Sequence, residues 1–387
     1  MTIQEIEDKY LIPLYKKREI ALVRGEGAMV IDENGRQYLD LTSQFGAAIL
    51  GYNNRQINEA LKNQLDSIIS VHSSFYNKAR ADFISELNRV VDSKLQNYFF
   101  CSSGTEATEA ALKFAHLSRP DKKVLAFSGS YHGRTIGSLS RTGVSKYRES
   151  FQSLLSQTIF AEFDSLESLV ENFTEEVGVV IVEPIQGEGG IKVASPEFLA
   201  KVRDLCDQHQ AILILDEIQT GVGRTGTMFA YEQYQIIPDI LLISKAIGSG
   251  LPLGLVAVND RIASKIEAGI HGTTFGGNAL ACMAGASTLK YIREHNLLAE
   301  VKDKGEWLKE EIQKLNLPVI REVRGRGLMI GIELKQRVGT YLKKFQDQGF
   351  LVMNAGSLVI RLLPPYIITK DQLSDFLEKL KEVLQAR

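Results

Sequence analysis

Three short segments of this sequence carry residues able to do chemistry, and each follows directly on an apolar run. Ser102-Ser103-Gly104-Thr105-Glu106-Ala107 follows residues 98–101 and opens a helical stretch, 108–116. Small residues at a strand-to-helix junction leave backbone N–H groups open, and the helix dipole favours an anion there. The same residues would equally serve as ordinary helix N-caps. The lysine of a nucleoside-triphosphate loop is missing, so the anion to consider is a single phosphate. Asp216-Glu217-Ile218-Gln219 follows residues 211–215. A carboxylate fixed at a buried strand end costs several kcal/mol unless something positive or protonated meets it. Asp216 therefore needs a partner, either a salt bridge or the protonated ring nitrogen of a cofactor. Ser244-Lys245-Ala246 follows residues 240–243. Lysine is almost never fully buried unless paired or modified, and desolvation lowers its pKa and makes the amine nucleophilic, as Schiff-base chemistry requires. Taken alone, Lys245 could instead be a lysine whose head group reaches solvent.

Taken together, a phosphate-type helix start, a strand-end aspartate and a strand-end lysine are the three protein groups that pyridoxal phosphate asks for. Other chemistries find less support. Gly221-Val222-Gly223-Arg224-Thr225-Gly226 matches GxGxxG, but a dinucleotide turn needs its glycines at the strand-to-helix junction, and here Asp216 to Thr220 intervene. These glycines are expected to form a surface loop beside the site. The histidines at 72, 116, 132, 209, 271 and 295 show no pair with ligand spacing, so no metal is expected and His132 reads as a core or surface residue. No GxSxG is present, which removes the nucleophile elbow of a hydrolase.

These residues must be held by a scaffold, and the pattern of the chain indicates which. From about residue 55 to 285 short apolar runs alternate with amphipathic helical stretches, the signature of an α/β fold with a mostly parallel central sheet. The runs 98–101, 177–182, 211–215 and 240–243 read as strands buried on both faces. In such sheets ligands bind outside the carboxyl ends of the strands, where the reactive residues stand. Beyond residue 285, stretches 299–315 and 370–384 have helical periodicity, and 328–334 and 358–362 read as strands, which makes a smaller α+β unit. Gly25, Gly27, Asp32 and Gly35 mark turns of a small N-terminal hairpin. The expected division is 1–54, an N-terminal segment belonging to the small domain; 55–285, a large cofactor-binding domain; and 286–387, the C-terminal small domain.

Composition narrows the partners. The 387 residues hold 45 Lys and Arg against 47 Asp and Glu, a net charge of -2. No global field draws such a protein to nucleic acid or to an anionic membrane, although whole-chain counting says nothing of a local basic patch. The three cysteines are far apart in sequence, and no apolar run approaches the roughly 18 residues of a membrane span. A cytoplasmic protein is expected.

The chain resembles the class III, or ornithine-type, pyridoxal-phosphate aminotransferases of fold type I. The resemblance rests on Ser103-Gly104-Thr105-Glu106-Ala107, Tyr131-His132-Gly133-Arg134-Thr135, Glu183-Pro184-Ile185-Gln186-Gly187-Glu188-Gly189-Gly190, Asp216-Glu217-Ile218-Gln219-Thr220-Gly221, Ser244-Lys245-Ala246 and Gly272-Thr273-Thr274-Phe275-Gly276-Gly277-Asn278. Within the family it is most similar to the acetylornithine aminotransferases and to their relatives that act on 2-aminoadipate semialdehyde attached to an amino-group carrier protein. It departs from the family pattern at Ser43-Gln44-Phe45 and at Gly51-Tyr52-Asn53-Asn54, where Gly-His and a nearby proline are usual.

The resemblance implies that Lys245 carries the cofactor as a Schiff base and that Asp216 keeps its pyridine nitrogen protonated. It assigns Gly104 and Thr105 to the phosphate, with Thr274 reaching it from a second subunit. Tyr131 is implied to stack on the ring, and Glu217, Ile218 and Gln219 to line it. Arg134 and Thr273 are the implied substrate contacts. Glu188 and Arg361 are implied to act as a switch, Arg361 being released to take the carboxylate of 2-oxoglutarate; a permanent salt bridge is the alternative. The implied reaction moves the terminal amino group of an N-blocked ornithine or lysine to 2-oxoglutarate, leaving a semialdehyde and glutamate, in lysine or arginine biosynthesis. The implied assembly is a homodimer with shared sites, and an acidic carrier protein is a candidate partner. Ornithine or 4-aminobutyrate transamination is the nearest rival, and a racemase or decarboxylase the rival from another class.

Overall fold

A computed structural model describes residues 1–385. Strands β1 (Leu22–Glu26), β2 (Met29–Asp32) and β3 (Gln37–Asp40) form an antiparallel N-terminal meander. They precede the central layer of β4 (Asn97–Cys101), β5 (Lys123–Phe127), β6 (Ile159–Ala161) and β7 (Val177–Val182). After the short hairpin of β8 (Ile185–Gln186) and β9 (Lys192–Val193) come β10 (Ile212–Asp216), β11 (Ile240–Ile243) and β12 (Gly254–Val258). The central strands make one seven-stranded sheet in the order β4-β12-β11-β10-β7-β5-β6. All neighbours are parallel except β12, which runs antiparallel to both β11 and β4. Every residue of β7, β10, β11 and β12 is buried, as continuous Val/Ile/Leu runs require when helices cover both faces.

The sequence reading of 98–101, 177–182, 211–215 and 240–243 as strands agrees with these bounds to within a residue. Lys123–Phe127 and Gly254–Val258 were not singled out, the second because Gly254 and the preceding Leu251-Pro252-Leu253 look like a turn in isolation. From residue 279 on, the helices Ala279–Glu294, Leu297–Lys314, Gly339–Asp347 and Lys370–Gln385 accompany a second antiparallel sheet. Its strands are β13 (Ile320–Arg326), β14 (Met329–Leu334), β16 (Met353–Ala355) and β17 (Val359–Leu362), in the order β13-β14-β17-β16. The remaining strand, β15 (Phe350–Leu351), leaves that sheet and pairs in parallel with β3, so the two ends of the chain share a sheet.

One expectation is corrected here. The segment 221–226 is not a surface loop: Gly221, Val222, Gly223, Arg224 and Thr225 are all buried. The Arg224 guanidinium is fully buried and donates to the carbonyls of Leu328 at 3.0 Å and Pro364 at 2.6 Å, with Tyr366 stacked 4.7 Å away. The Tyr366 hydroxyl donates in turn to the carbonyl of Val222 at 3.0 Å. The glycines are needed because the space beside them is taken: a side chain at Gly221 would come within 2.8 Å of the Glu217 carbonyl oxygen, one at Gly223 within 2.9 Å of Leu298 and one at Gly226 within 2.9 Å of Lys302. The turn at Gly327 also packs between this segment and helix Leu297–Lys314. A side chain at Gly327 would come within 2.6 Å of the Thr225 backbone, and one at Gly305 within 2.0 Å of the Gly327 carbonyl oxygen.

Gly305→Ala should therefore destabilise the fold by about 1–3 kcal/mol, because the added methyl meets backbone that has no free space. Gly339→Ala, where nothing lies within 4 Å, is the control. Thermal unfolding checks both, and equal midpoints for the two variants would contradict the packing described.

Candidate active site

Asp216 is the last residue of β10 and only 4% exposed. One carboxylate oxygen accepts from the Ile218 backbone N–H at 3.1 Å; the other lies 2.7 Å from Nδ1 of His132, whose Nε2 is buried without a partner. A buried carboxylate favours the proton on the nitrogen that faces it, so Nδ1 is the donor. Beside this pair, Glu183 accepts from the backbone N–H groups of Tyr131 at 3.0 Å and Gly187 at 3.4 Å. Burial pushes the Glu183 carboxyl up to about 7, with the His132 charge acting against that rise.

Lys245 begins the next connection over. Asp216 is in register with Leu242 of the parallel strand β11, so the chain turns into Ser244-Lys245 beside the carboxylate. Lys245 adopts a left-handed backbone, φ +45°, which a non-glycine residue holds only where its surroundings enforce it. Burial lowers the pKa of its amine below the ordinary 10.5; Asp216 opposes that shift and Arg361 adds to it.

The helix Gly104–Ser118 starts against the same point. Ser103 caps it by accepting from the Glu106 N–H at 3.3 Å, leaving the first N–H groups, those of Gly104 and Thr105, without intrahelical acceptors. Gly104 must be glycine because a side chain there would come within 2.9 Å of Ile218. The Thr105 hydroxyl lies 2.9 Å from that of Thr135 and 2.8 Å from that of Ser138, and Gly133 leaves the space for it. Gln219 folds over Gly187, and its buried Oε1 has no donor. An open helix start, a buried carboxylate with its own histidine, an amine with lowered pKa and an unpartnered amide oxygen suit a phosphorylated pyridine aldehyde.

A second cluster holds the substrate candidates. Arg361 on β17 is 1% exposed, and its Nη1 lies 2.8 Å from Oε1 of Glu188. The contact is an ion pair rather than an aligned hydrogen bond, and the Nε and Nη1 protons of Arg361 have no acceptor. The Tyr147 hydroxyl donates to the other Glu188 oxygen at 3.5 Å. Arg134, exposed, lies 3.7 Å from the Tyr147 ring centre and 5.5 Å from that of Tyr131, and the two rings meet edge to face at 5.7 Å.

Two predicted groups are placed differently from the rest. The Glu217 carboxylate accepts from the N–H groups of Ala230 at 2.7 Å and Tyr231 at 2.8 Å and from the Thr220 hydroxyl at 3.0 Å, so it pins that turn. Thr273 and Thr274 lie on the loop 264–278, where the Thr273 hydroxyl accepts from the Gly276 N–H at 3.3 Å and Thr274 is exposed. Among the described residues no hydrogen bond or ion pair joins either threonine to the Lys245–Asp216 group. His132 and Tyr147 escaped the sequence reading. His132 could have been suspected from its place next to Tyr131 in a motif; Tyr147 carries no local signal.

The arrangement is that of a transferase working through pyridoxal phosphate, and comparison with known proteins agrees. Residues 14–384 match the aminotransferase class-III family, to which the chain belongs. It is 43% identical to the [LysW]-aminoadipate semialdehyde/glutamate semialdehyde transaminase of Sulfolobus acidocaldarius, over 97% of each chain. It is 40% identical to the acetylornithine aminotransferase of Bacillus cereus, again over 97% of both. The ornithine aminotransferase of Toxoplasma gondii superposes with a TM-score of 0.93 at 27% identity, covering 98% of this chain and 93% of that one. The fold is fold type I, and the protein is a pyridoxal-phosphate-dependent aminotransferase.

The lowered Lys245 pKa has a direct test in the cofactor-free protein. Acetylation of Lys245, followed by mass spectrometry across pH, should reach half its plateau below pH 10.5. Asp216→Asn should move that midpoint lower still, since the Asp216 charge favours the protonated amine. A midpoint at or above 10.5 would contradict the burial of the amine.

Proposed function

We propose that this protein transfers the terminal amino group of an N-blocked ornithine or lysine, N-acetylated or linked to a carrier protein, to 2-oxoglutarate. The products are the corresponding semialdehyde and glutamate, in lysine or arginine biosynthesis. The observation that carries this reading is the buried Arg361 held by Glu188 near Lys245: one guanidinium that can be covered for one substrate and offered to another. The relatives named above act on donors of this kind, one through a carrier protein and one through an acetylated amino acid.

Lys245 would hold the cofactor, Gly104 and Thr105 its phosphate, Asp216 its ring nitrogen, Tyr131 and Ile218 its faces and Gln219 its phenolic oxygen. When bound, the cofactor supplies an electron sink for the charge left at the donor carbon once a proton departs. The Lys245 amine, which burial shifts towards its neutral form, would take that proton and pass it on. Asp216, oriented by His132, would face the ring nitrogen and favour a proton on it. Arg134, exposed at the Tyr131–Tyr147 edge, would take the donor carboxylate, and Thr273 is the second substrate contact of this reading. Glu188 neutralises Arg361 while the donor reacts. When the keto acid enters, Arg361 turns its unsatisfied N–H groups to the carboxylate, a bidentate grip that lysine could not offer.

The reading includes a homodimer in which Thr274 completes the phosphate site of the other subunit. Its support is the exposed loop bearing Thr274 and Phe275, together with large exposed apolar side chains at Ile12, Tyr15, Phe75 and Tyr76. It also includes the division into 1–54, 55–285 and 286–387, supported by the pairing of β3 with β15. No helix among the described residues is long and apolar enough to cross a membrane. We place the enzyme in the cytoplasm, where three buried free cysteines would stay reduced.

Glutamate formation from 2-oxoglutarate should be at least about tenfold more efficient with acetylornithine, or with ornithine or lysine on the carrier protein, than with free ornithine or 4-aminobutyrate. Preference for a free amino acid would overturn the donor assignment, and donor turnover without glutamate would favour a racemase or decarboxylase. Lys245→Ala should lower kcat by at least about 10². Mixing Lys245→Ala with Thr274→Ala chains should restore part of the activity if subunits share sites; no recovery would count against sharing.

A further inference from the structure

The longest run of left-handed backbone among the described residues stands beside Lys245. Ser43, Gln44 and Phe45 adopt φ of +43°, +52° and +60°, and Gly46 follows at +85°. This left-handed turn closes with the Gly46 N–H donating to the Thr42 carbonyl at 3.0 Å and the Ala47 N–H to that of Ser43 at 2.8 Å. It lies against the turn Lys245–Gly248. L-residues enter this region singly and at a cost, so three in succession need something that enforces them.

That something is a network on Asp40, which is fully buried. One Asp40 oxygen accepts from the Thr42 N–H at 2.8 Å and the Thr42 hydroxyl at 2.6 Å, and the Thr42 oxygen accepts from the Gln44 N–H at 3.2 Å. The other Asp40 oxygen accepts from the Tyr52 hydroxyl at 2.5 Å, and that hydroxyl accepts from the Gln44 side-chain amide at 3.0 Å. Tyr52 is itself held on two sides. Its backbone is bridged to Gly27 by hydrogen bonds of 2.9 and 2.8 Å, and its ring fills space that a side chain at Gly25, 2.5 Å away, would take. The turn delivers Phe45, whose ring centre lies 5.6 Å from the Arg361 guanidinium carbon. An aromatic ring on the weakly hydrated face of a guanidinium keeps water off that face and leaves the N–H edge open to a carboxylate.

We propose that Tyr52 is a positioning residue for the keto-acid half of the reaction: through Asp40 and Gln44 its hydroxyl holds the left-handed turn that keeps Phe45 on Arg361. The proposal rests on the transaminase reading above and deepens it, since only the dicarboxylate acceptor uses Arg361. Tyr52 occupies a place where the resemblance leads one to expect histidine.

The test uses the full-length, cofactor-loaded protein. Tyr52→Phe keeps the ring and removes both hydroxyl bonds; it should raise KM for 2-oxoglutarate about 3- to 10-fold and leave kcat and KM for the donor within about twofold. Gln44→Ala, at an exposed position, should shift KM the same way by less. Phe45→Ala should match Tyr52→Phe, and the double variant should be no worse than Phe45→Ala alone, because both act through one contact. Calorimetric binding of glutarate, which has no keto group to react, to the same cofactor-loaded protein should show the same loss. Equal losses for donor and acceptor, additive effects in the double variant, or unchanged glutarate affinity in Tyr52→Phe would overturn this proposal alone. A wild-type chain that forms no glutamate would overturn the transaminase reading beneath it.

Discussion

A carboxylate at the end of a buried parallel strand must be met by a proton or a charge, and the arrangement around Asp216 follows from that need. His132 meets one oxygen, the Ile218 N–H the other. The cost of holding Asp216 out of water is offset by these contacts, and what remains is a fixed negative charge at the carboxyl edge of the sheet. Because β11 runs parallel to β10 with Asp216 level with Leu242, the chain leaving β11 brings Lys245 to the same edge. Burial drives the lysine towards its neutral form, and the nearby Asp216 opposes that shift. A rigid anion and a reactive amine can then coexist within one water-poor site.

The second cluster obeys the same rule with the opposite sign. Arg361 is buried cation, and Glu188 is close enough to neutralise it without aligned hydrogen bonds. On the proposed function, this pair is exchanged for a substrate carboxylate in the keto-acid half of the reaction. Arg224, equally buried, has no carboxylate at all and relies on carbonyl oxygens and the Tyr366 ring. It joins the 221–226 segment to the C-terminal sheet, and so ties the strand that carries Asp216 to the strand that carries Arg361.

Lys245, Asp216 and the helix start at Gly104 were legible in the sequence because each directly follows an apolar run, and strand ends are where side chains leave the core. His132 was not legible: its partner Asp216 is distant in sequence, and a lone histidine carries no spacing signal. Tyr147 was missed for the same reason. The segment 221–226 was misread because glycines look like exposed turns when the neighbours they make room for, here Leu298, Lys302 and Tyr366, lie far along the chain. Glu217 and Asp216 are adjacent in sequence, yet strand alternation sends their carboxylates to different tasks, one to His132 and one to the backbone of Ala230 and Tyr231. The strain at Ser43-Gln44-Phe45 was visible only as a departure from the family pattern, since no residue type there announces a positive φ.

The central claim is that the amine at the end of β11 is the group that binds the cofactor. Reducing the pyridoxal-phosphate-loaded protein with borohydride and mapping its peptides measures this most directly. A single peptide containing Lys245 should carry the pyridoxyl mass, and the Asp216→Asn protein should give the same peptide. A pyridoxyl group on another lysine, or on none, would contradict the account.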